Sequence, residues 1–405
     1  MRSRVDERSG SKLSGGRSDD PRFLVRCCFA LPVLLMDTGK TVTSIGGSLS
    51  AVKIRHAIRV ELPPHVFRPQ PLRALIAVAL FAGIVASDAA ILELAPLGTV
   101  EIALSLLSGA LSASLFFLGH ECCHGAILRR RWAQDLLAFP AFLVFLLSPT
   151  LWRCWHNNVH HVRTNSPDDD PDNFGSLASY RQSWVVRLFA TLTPGSGRRP
   201  TLLYFAVWFT VHAQVVQWYQ SRRCRGFNAL NRRRAAAETL VMAVFWLVLG
   251  LAVGAYSSVL VIILPMMAAN AIIMSYIATN HLLLPLNTRS DPLDNSMSVT
   301  THPVLDQVHF NFSYHVEHHL FPTMSPKFAP LVRTQLRQFA PGRLLAPAHL
   351  AALQMVFRTL RIHDANGDLI DPTTGGRVRL VEIVEALCRL GKSPRGRARP
   401  AENDA

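Results

Sequence analysis

The sequence predicts an all-α integral membrane protein: four transmembrane helices in two hairpins, interfacial helices beside them, and a cytoplasmic helical cap carrying clustered histidines. Three observations lead there. Apolar residues fill 49% of the 405 positions while the formal net charge is +15, so the two kinds of residue must be segregated along the chain. Four apolar runs qualify, or nearly so, for the roughly 20 residues that a spanning helix needs. Eight of the 16 histidines sit in three short clusters.

Taken in order, residues 1–61 read as a basic, flexible leading segment. Its apolar patch at 23–35 is too short to span and lacks a small-residue cleavage site, so no signal peptide is expected. Met36 is the expected true start. Pro63, Pro64, Pro69 and Pro71 then stiffen the approach to the first apolar run. The four runs are residues 74–92, 102–119, 239–256 and 259–278, with Asp88 near the far end of the first and Pro265 expected to kink the fourth. Residues 136–152 and 202–219 are shorter or carry polar groups such as His212, Gln214 and Gln217. The membrane domain is placed at 62–361, with a polar tail over 362–405. Asp364, Asn366, Gly367 and Asp368 read as a turn.

Charge sets the topology. Arginines gather at 129–131, 198–199, 222–225 and 232–234, which the positive-inside rule puts in the cytoplasm. The links 93–101 and 254–258 carry no Lys or Arg and read as short outer turns. Basic segments flank 202–219 on both sides, so a single crossing there would strand one of them outside; an interfacial helix avoids this. The same reasoning makes 136–152 interfacial, because the clusters on either side of it must share a compartment to share metals. Every histidine cluster, and both termini, then face the cytoplasm.

Imidazole is the commonest protein ligand for transition metals. Residues 120–124 read His-Glu-Cys-Cys-His, 156–161 His-Asn-Asn-Val-His-His, and 315–319 His-Val-Glu-His-His. On a helix, i, i+3 and i+4 share a face, so His120 with His124, His156 with His160, and His315 with His318 and His319 should each point one way. With His161, and with His281 at the end of the fourth run, the set exceeds one metal's needs. Two metals are expected.

These boxes resemble the integral-membrane fatty acid desaturase and hydroxylase superfamily. The resemblance rests on Gly-His-Glu-Cys-Cys-His-Gly, on His-Asn-Asn-Val-His-His-Val-Arg-Thr-Asn with Asp-Pro-Asp beyond it, and on Tyr-His-Val-Glu-His-His-Leu-Phe-Pro, over roughly residues 62–361. It implies a di-iron centre held by His120, His124, His156, His160, His161, His281, His315, His318 and His319. Glu121, Asn280 and Glu317 would support these ligands through hydrogen bonds. Some members carry Asn four residues before the helix-end histidine; Ile277 stands there in this chain. The chemistry implied is removal of two hydrogens from adjacent methylenes with dioxygen and two electrons. Oxygen rebound would instead give an alcohol, as in hydroxylases and alkane monooxygenases.

The third box begins with His rather than Gln and no cytochrome motif is present, since His302-Pro303 is followed by Val304; both favour a methyl-end or mid-chain acyl desaturase. No Cys-x-x-Cys pair or Gly-rich nucleotide fingerprint appears, so electrons must come from a separate ferredoxin or b-type cytochrome with its reductase. The basic surface suits such an acidic donor, or anionic lipid, and no nucleic acid is expected. The substrate would be an acyl lipid or acyl thioester. With 37 Arg against 5 Lys, a bacterial cytoplasmic membrane is the expected location. His120-Glu121-x-x-His124 is also the zinc-protease signature, but that reading leaves two boxes idle, as a metal-storage role leaves their flanks unexplained. Trp152 and Trp155 fit a substrate tunnel or an interfacial belt equally well. Asp168 to Asp172 lacks calcium-loop positions and is expected to pair with basic groups or hold a turn. The other histidines (His56, His65, His212, His302, His309, His349 and His363) read as ordinary surface or packing residues.

Overall fold

The computed structural model describes residues 50–386, apart from 94–97, 168, 174, 197–200, 287–290, 360–361, 367, 380–381 and 384–385. Met36, the 23–35 patch, Cys27, Cys28 and the tail beyond 386 lie outside the described residues, as do Asp168, Gly367 and the arginines at 198–199.

The fold is mostly helical, with three to four candidate membrane spans. Helix α1 (Ala51–Glu61) precedes the first of them, α2 (Arg73–Glu93). With 21 residues, α2 is about 31 Å long, enough to cross a hydrocarbon core. It leaves Leu75, Val78, Phe81, Val85 and Leu92 exposed, as a lipid-facing helix would. Helix α3 (Thr99–Cys123) is instead largely buried. Its small residues let neighbours approach: a Cβ at Gly109 would lie 2.6 Å from Ala268 Cβ, and one at Gly119 would lie 2.7 Å from Ala141 Cβ.

The third apolar tract, Arg232–His281, holds 50 residues. It comprises α7 (Arg232–Ser258) and α8 (Leu264–His281). Gly254, at φ 80° and ψ 170°, breaks it. The tract doubles back there, because a Cβ on Gly250 would lie 3.6 Å from Ile262 Cδ1, a pair that a straight helix would hold about 18 Å apart. Pro265 lies within the continuous helical stretch that leads to His281. The turn just before it, Val259–Ile263, is π-helical, the irregularity that goes with a proline's missing N–H and ring inside a helix. Tyr256 Oη donates to Glu101 Oε2 at 3.0 Å and Ser105 Oγ donates to the Leu260 carbonyl at 2.6 Å. Those bonds tie the two turns together at one end of the helices, so Cys123 and His281 lie at the other.

Residues 136–152 are not one interfacial helix. Helix α4 (Arg131–Phe142) runs through a 3-10 turn, Leu146 takes φ 50°, and α5 (Pro149–Arg163) leaves at an angle of 100°. Ser148 and Pro149 explain the break. The serine hydroxyl accepts from Leu151 N at 3.1 Å, an N-cap, and proline suits the first helical position. The tip is pinned by Gln214 Nε2 on the Leu146 carbonyl and Trp246 Nε1 on the Leu143 carbonyl, each at 2.9 Å. Helix α6 (Thr201–Trp218) is not among the helices apolar enough to cross, and it packs on α8, where Asn270 and Thr210 exchange hydrogen bonds of 3.0 Å.

Beyond α8 come α9 (His315–Leu320), α10 (Ala329–Phe339) and α11 (His349–Arg358). Helix α1 buries Ala51, Ile54 and Ile58 in a cluster with Val316, Leu320, Val332 and Leu336, so residues 51–61 are an ordered part of this body. The all-α expectation also misses a small antiparallel sheet of three strands, β1 (Ile362–His363), β2 (Leu369–Ile370) and β3 (Arg377–Val378). Between β1 and β2 the Asp364 carboxylate accepts from the backbone N–H of Asn366 and of Asp368, making a turn.

Candidate metal centre

The three boxes and His281 meet at the ends of α3, α5, α8 and α9, and their nine imidazoles form two groups. Within each group, one nitrogen per ring lies within 4.8 Å of every other. The first group is His120, His124, His156, His161 and His318; the second is His160, His281, His315 and His319.

Local helical geometry decides this division. His120 and His124 share a face of α3, as an i, i+4 pair should. The second box departs from that pattern. Residues Arg153–His160 form a π-helix, and His161 N donates to the His156 carbonyl five residues back. A wider turn puts i and i+5 on one face, so His156 joins His161 and sends His160 to the other group. In α9, His315 and His319 share the second group while His318 serves the first. Boxes two and three therefore each contribute to both groups rather than presenting one face apiece.

The ring nitrogens converge. Nε2 atoms of His120 and His156 lie 2.8 Å apart, His161 and His156 3.1 Å, and His318 and His161 3.1 Å. In the second group, His315 and His281 are 2.6 Å apart and His319 and His315 3.0 Å. Burial, reinforced by the neighbouring rings, pushes His124, His156, His161, His315 and His319 well below the ordinary imidazole range, and His318 down to about 3. Such rings are neutral at physiological pH, the state in which imidazole binds metal. Buried Nε2 of His124 has no protein partner. An all-nitrogen donor set of this kind fits two transition-metal ions.

His160 differs. Its Nδ1 lies 2.9 Å from Asp172 Oδ2 and 3.4 Å from Asp170 Oδ1. Burial alone would lower its pKa, but the two carboxylates raise it to about 10. His212 Nε2 sits 3.0 Å from the other Asp172 oxygen, to which Trp155 Nε1 also donates at 3.2 Å. Burial would raise Asp172; His160 and His212 hold it below the usual carboxylate range. Asp170, Asp172 and His212 were not anticipated as site residues. The one available signal was Asp-Pro-Asp following the second box. Asp169 makes the expected basic pairing, 3.5 Å from Arg163.

Glu121 and Glu317 brace helices rather than rings. Glu121 receives Arg73 Nη2 at 2.7 Å and Ser325 Oγ at 2.5 Å, so both its oxygens are occupied. A zinc-protease base would face a metal-bound water; this carboxylate is turned instead to Arg73 and Ser325. Glu317 receives Arg333 Nε and Ser298 Oγ, each at 2.5 Å. Asn280 is fully buried and neither side-chain amide atom has a protein partner. The four described cysteines, Cys122, Cys123, Cys154 and Cys224, are free thiols.

An apolar pocket adjoins the second group through His160, His281 and His315, and also touches His156. Trp152 and Trp155 line it, and both are buried. Trp152 stacks on His156 with 4.3 Å between ring centroids. Tyr204, Trp208, Phe209 and His212 of α6 form one wall; Met274 and Ile277 of α8 form another.

A family model for fatty acid desaturases matches residues 97–350, well over half of the chain. The chain belongs to the fatty acid desaturase family. Individual relatives match over shorter stretches. An sn-1 oleoyl-lipid 12-desaturase from Picosynechococcus sp. is 33% identical over 109 residues, 27% of this chain and 31% of the relative. The chloroplastic omega-6 fatty acid desaturase of Spinacia oleracea is 20% identical over 282 residues, 65% of this chain and 59% of the relative. An sn-1 acyl-lipid omega-3 desaturase (ferredoxin) from Nostoc sp. is 31% identical over 65 residues, 16% of this chain and 18% of the relative. The chain thus spans about a third or less of the length of the first curated relatives it matches. The desaturase-family match and the apolar helices together make this an integral membrane protein.

Proposed function

We propose that this chain is a membrane-bound acyl desaturase that uses dioxygen, two electrons and a histidine-held di-iron centre to place a double bond in an acyl chain. The observation that carries the reading is the apolar cavity ending against the second histidine group. Residues 62–361 form the desaturase domain, with four spans in two hairpins and the boxes on the cytoplasmic side, where the arginines gather. A bacterial cytoplasmic membrane is the setting. The substrate is an acyl lipid or acyl thioester, and the desaturase names of the relatives favour the lipid. Reducing power comes from ferredoxin, as one relative's name indicates, or from a b-type cytochrome.

His120, His124, His156, His161 and His318 would hold one iron, and His160, His281, His315 and His319 the other. Bound there, the irons supply activation of dioxygen for oxidising unactivated methylenes. Overall, one –CH2–CH2– unit loses two hydrogens while dioxygen takes two electrons and two protons and becomes two waters. The protein's own residues do the rest. Trp152, Trp155, Phe209 and Ile277 exclude water and confine the chain, so one carbon pair lies beside the second group. Asp172 fixes the His160 ring with Nδ1 as donor, leaving Nε2 for the metal. Arg73 with Glu121, and Arg333 with Glu317, hold the first and third boxes in place.

The test is expression in a desaturase-deficient bacterial host with ferredoxin and its reductase, with double bonds located by mass spectrometry. New unsaturated chains that are absent with His160→Ala would support the reading. An unchanged lipid profile, with two irons bound and the donor reduced, would refute it.

A further inference from the structure

The metal pair has two unlike faces. The apolar cavity reaches it through His156, His160, His281 and His315. On the other side, a polar basin reaches it through His124. The two share no lining residue. Four arginines, Arg129, Arg131, Arg153 and Arg234, line the basin together with neutral amides and a hydroxyl, and no carboxylate lines it. Arg153 and Arg234 are already paired with Asp135, and Glu238 holds Arg234 and the Thr150 hydroxyl from outside the lining. Arg129 and Arg131 are exposed and make no ion pair among the described residues. Their backbone is not loose: Ala126 and Ile127 just before them are buried, and Gln70 N donates to the Ala126 carbonyl at 2.8 Å.

Resting on the desaturase reading, we propose that this basin is the docking site of a small, acidic, one-electron carrier protein, with Arg129 and Arg131 as its main charge contacts. Charge chooses the partner. A concavity whose two exposed arginines, Arg129 and Arg131, carry uncompensated charge steers and orients an acidic surface. Position chooses the purpose. A carrier seated here stands against His124, a member of the first histidine group. The substrate's own headgroup is a poor occupant, because its acyl chain would have to pass the histidines to reach the apolar cavity, and no lining connects the two. Each docking oxidises one carrier by one electron; two dockings supply the pair that the reaction consumes, and the accompanying protons come from basin water.

The experiment compares wild type with the Arg129→Glu/Arg131→Glu double variant, both iron-loaded in nanodiscs, using reduced plant-type ferredoxin as the carrier. The expected result is a KM for ferredoxin raised at least about tenfold and no longer sensitive to salt. Iron content, and the rate at which dithionite reduces the metal centre, stay at wild-type values. Arg129→Lys/Arg131→Lys keeps a KM within about threefold of wild type. An unchanged ferredoxin KM in the Glu variant overturns the proposal. So does an equal loss of turnover with ferredoxin and dithionite that tracks anionic lipid content, which would assign the basin to a lipid headgroup. Salt-sensitive reduction by ferredoxin without any unsaturated product in wild type would fail the desaturase reading and leave the docking site standing.

Discussion

Asp172 stands 2.9 Å from Nδ1 of His160, behind the ring that faces the second histidine group. Its other oxygen is held by Trp155 and His212, so the carboxylate is itself fixed by two side chains that line the apolar cavity. Ligand orientation and the shape of the cavity wall are thereby joined through one residue. Asp172→Asn should weaken iron binding at the second group about 10- to 100-fold, the usual effect of losing such a partner. Chelator competition followed by iron analysis measures it, and unaltered affinity would remove Asp172 from this role.

The two buried braces should govern stability more than chemistry. Glu317 is fully buried and meets Arg333 at 2.5 Å. Arg333→Met strands that carboxylate, and removing one partner of a buried pair costs about 3–5 kcal/mol. The double variant Arg333→Met/Glu317→Leu should recover much of this, since it leaves no lone charge. Thermal unfolding of the metal-free proteins in detergent micelles decides the point. If the double variant is as unstable as the single one, the brace has been misread.

Ile277 lines the cavity one helical turn before His281. Ile277→Phe adds volume beside the metal-facing end. We expect the rate on long acyl chains to fall about tenfold, consistent with an overpacking cost of about 1–3 kcal/mol, and the double bond to move along the chain. Iron content should not change. Identical products at identical rates would mean that the chain does not occupy this cavity.

Acid should destabilise the metal-free protein. His124, His156, His161, His315 and His319 are held well below their ordinary range and His318 at about 3, whereas each titrates near pH 6.5 when unfolded. Above that pH, folded and unfolded rings are both neutral and contribute no pH dependence. Below it the unfolded chain takes up protons that the folded one refuses, so stability falls by up to about 1.4 kcal/mol per pH unit for each group. His160, raised to about 10, has the opposite sign: its contribution is full below about pH 6.5 and fades as pH climbs through 10. Six depressed groups outweigh it. Melting temperature should therefore drop between about pH 7 and about pH 5, and a flat profile would mean that these rings are not buried as described.

Much of the site was legible because histidine spacing and apolar run length are local signals. The four runs fall within α2, α3, α7 and the tract ending at His281, and all nine boxed or helix-end histidines converge. The errors came from two local breaks in regular helix and from one long-range pairing. Regular helical spacing put His156 with His160, but a π-turn put it with His161. Hydropathy alone drew 136–152 as one helix, where the Ser148 cap and Pro149 split it. Asp172 and His212 lie 40 residues apart and meet only once α6 packs beside the second box. No local pattern reports such a pairing.

Desaturation and hydroxylation start from the same hydrogen removal and differ in where oxygen goes. The most direct test supplies 18O2 to the iron-loaded chain with reduced ferredoxin and an acyl lipid, and follows the label by mass spectrometry. This account predicts an unsaturated product without label, one dioxygen consumed per double bond, and all the label in water. Label retained in the acyl chain as a hydroxyl group would contradict it.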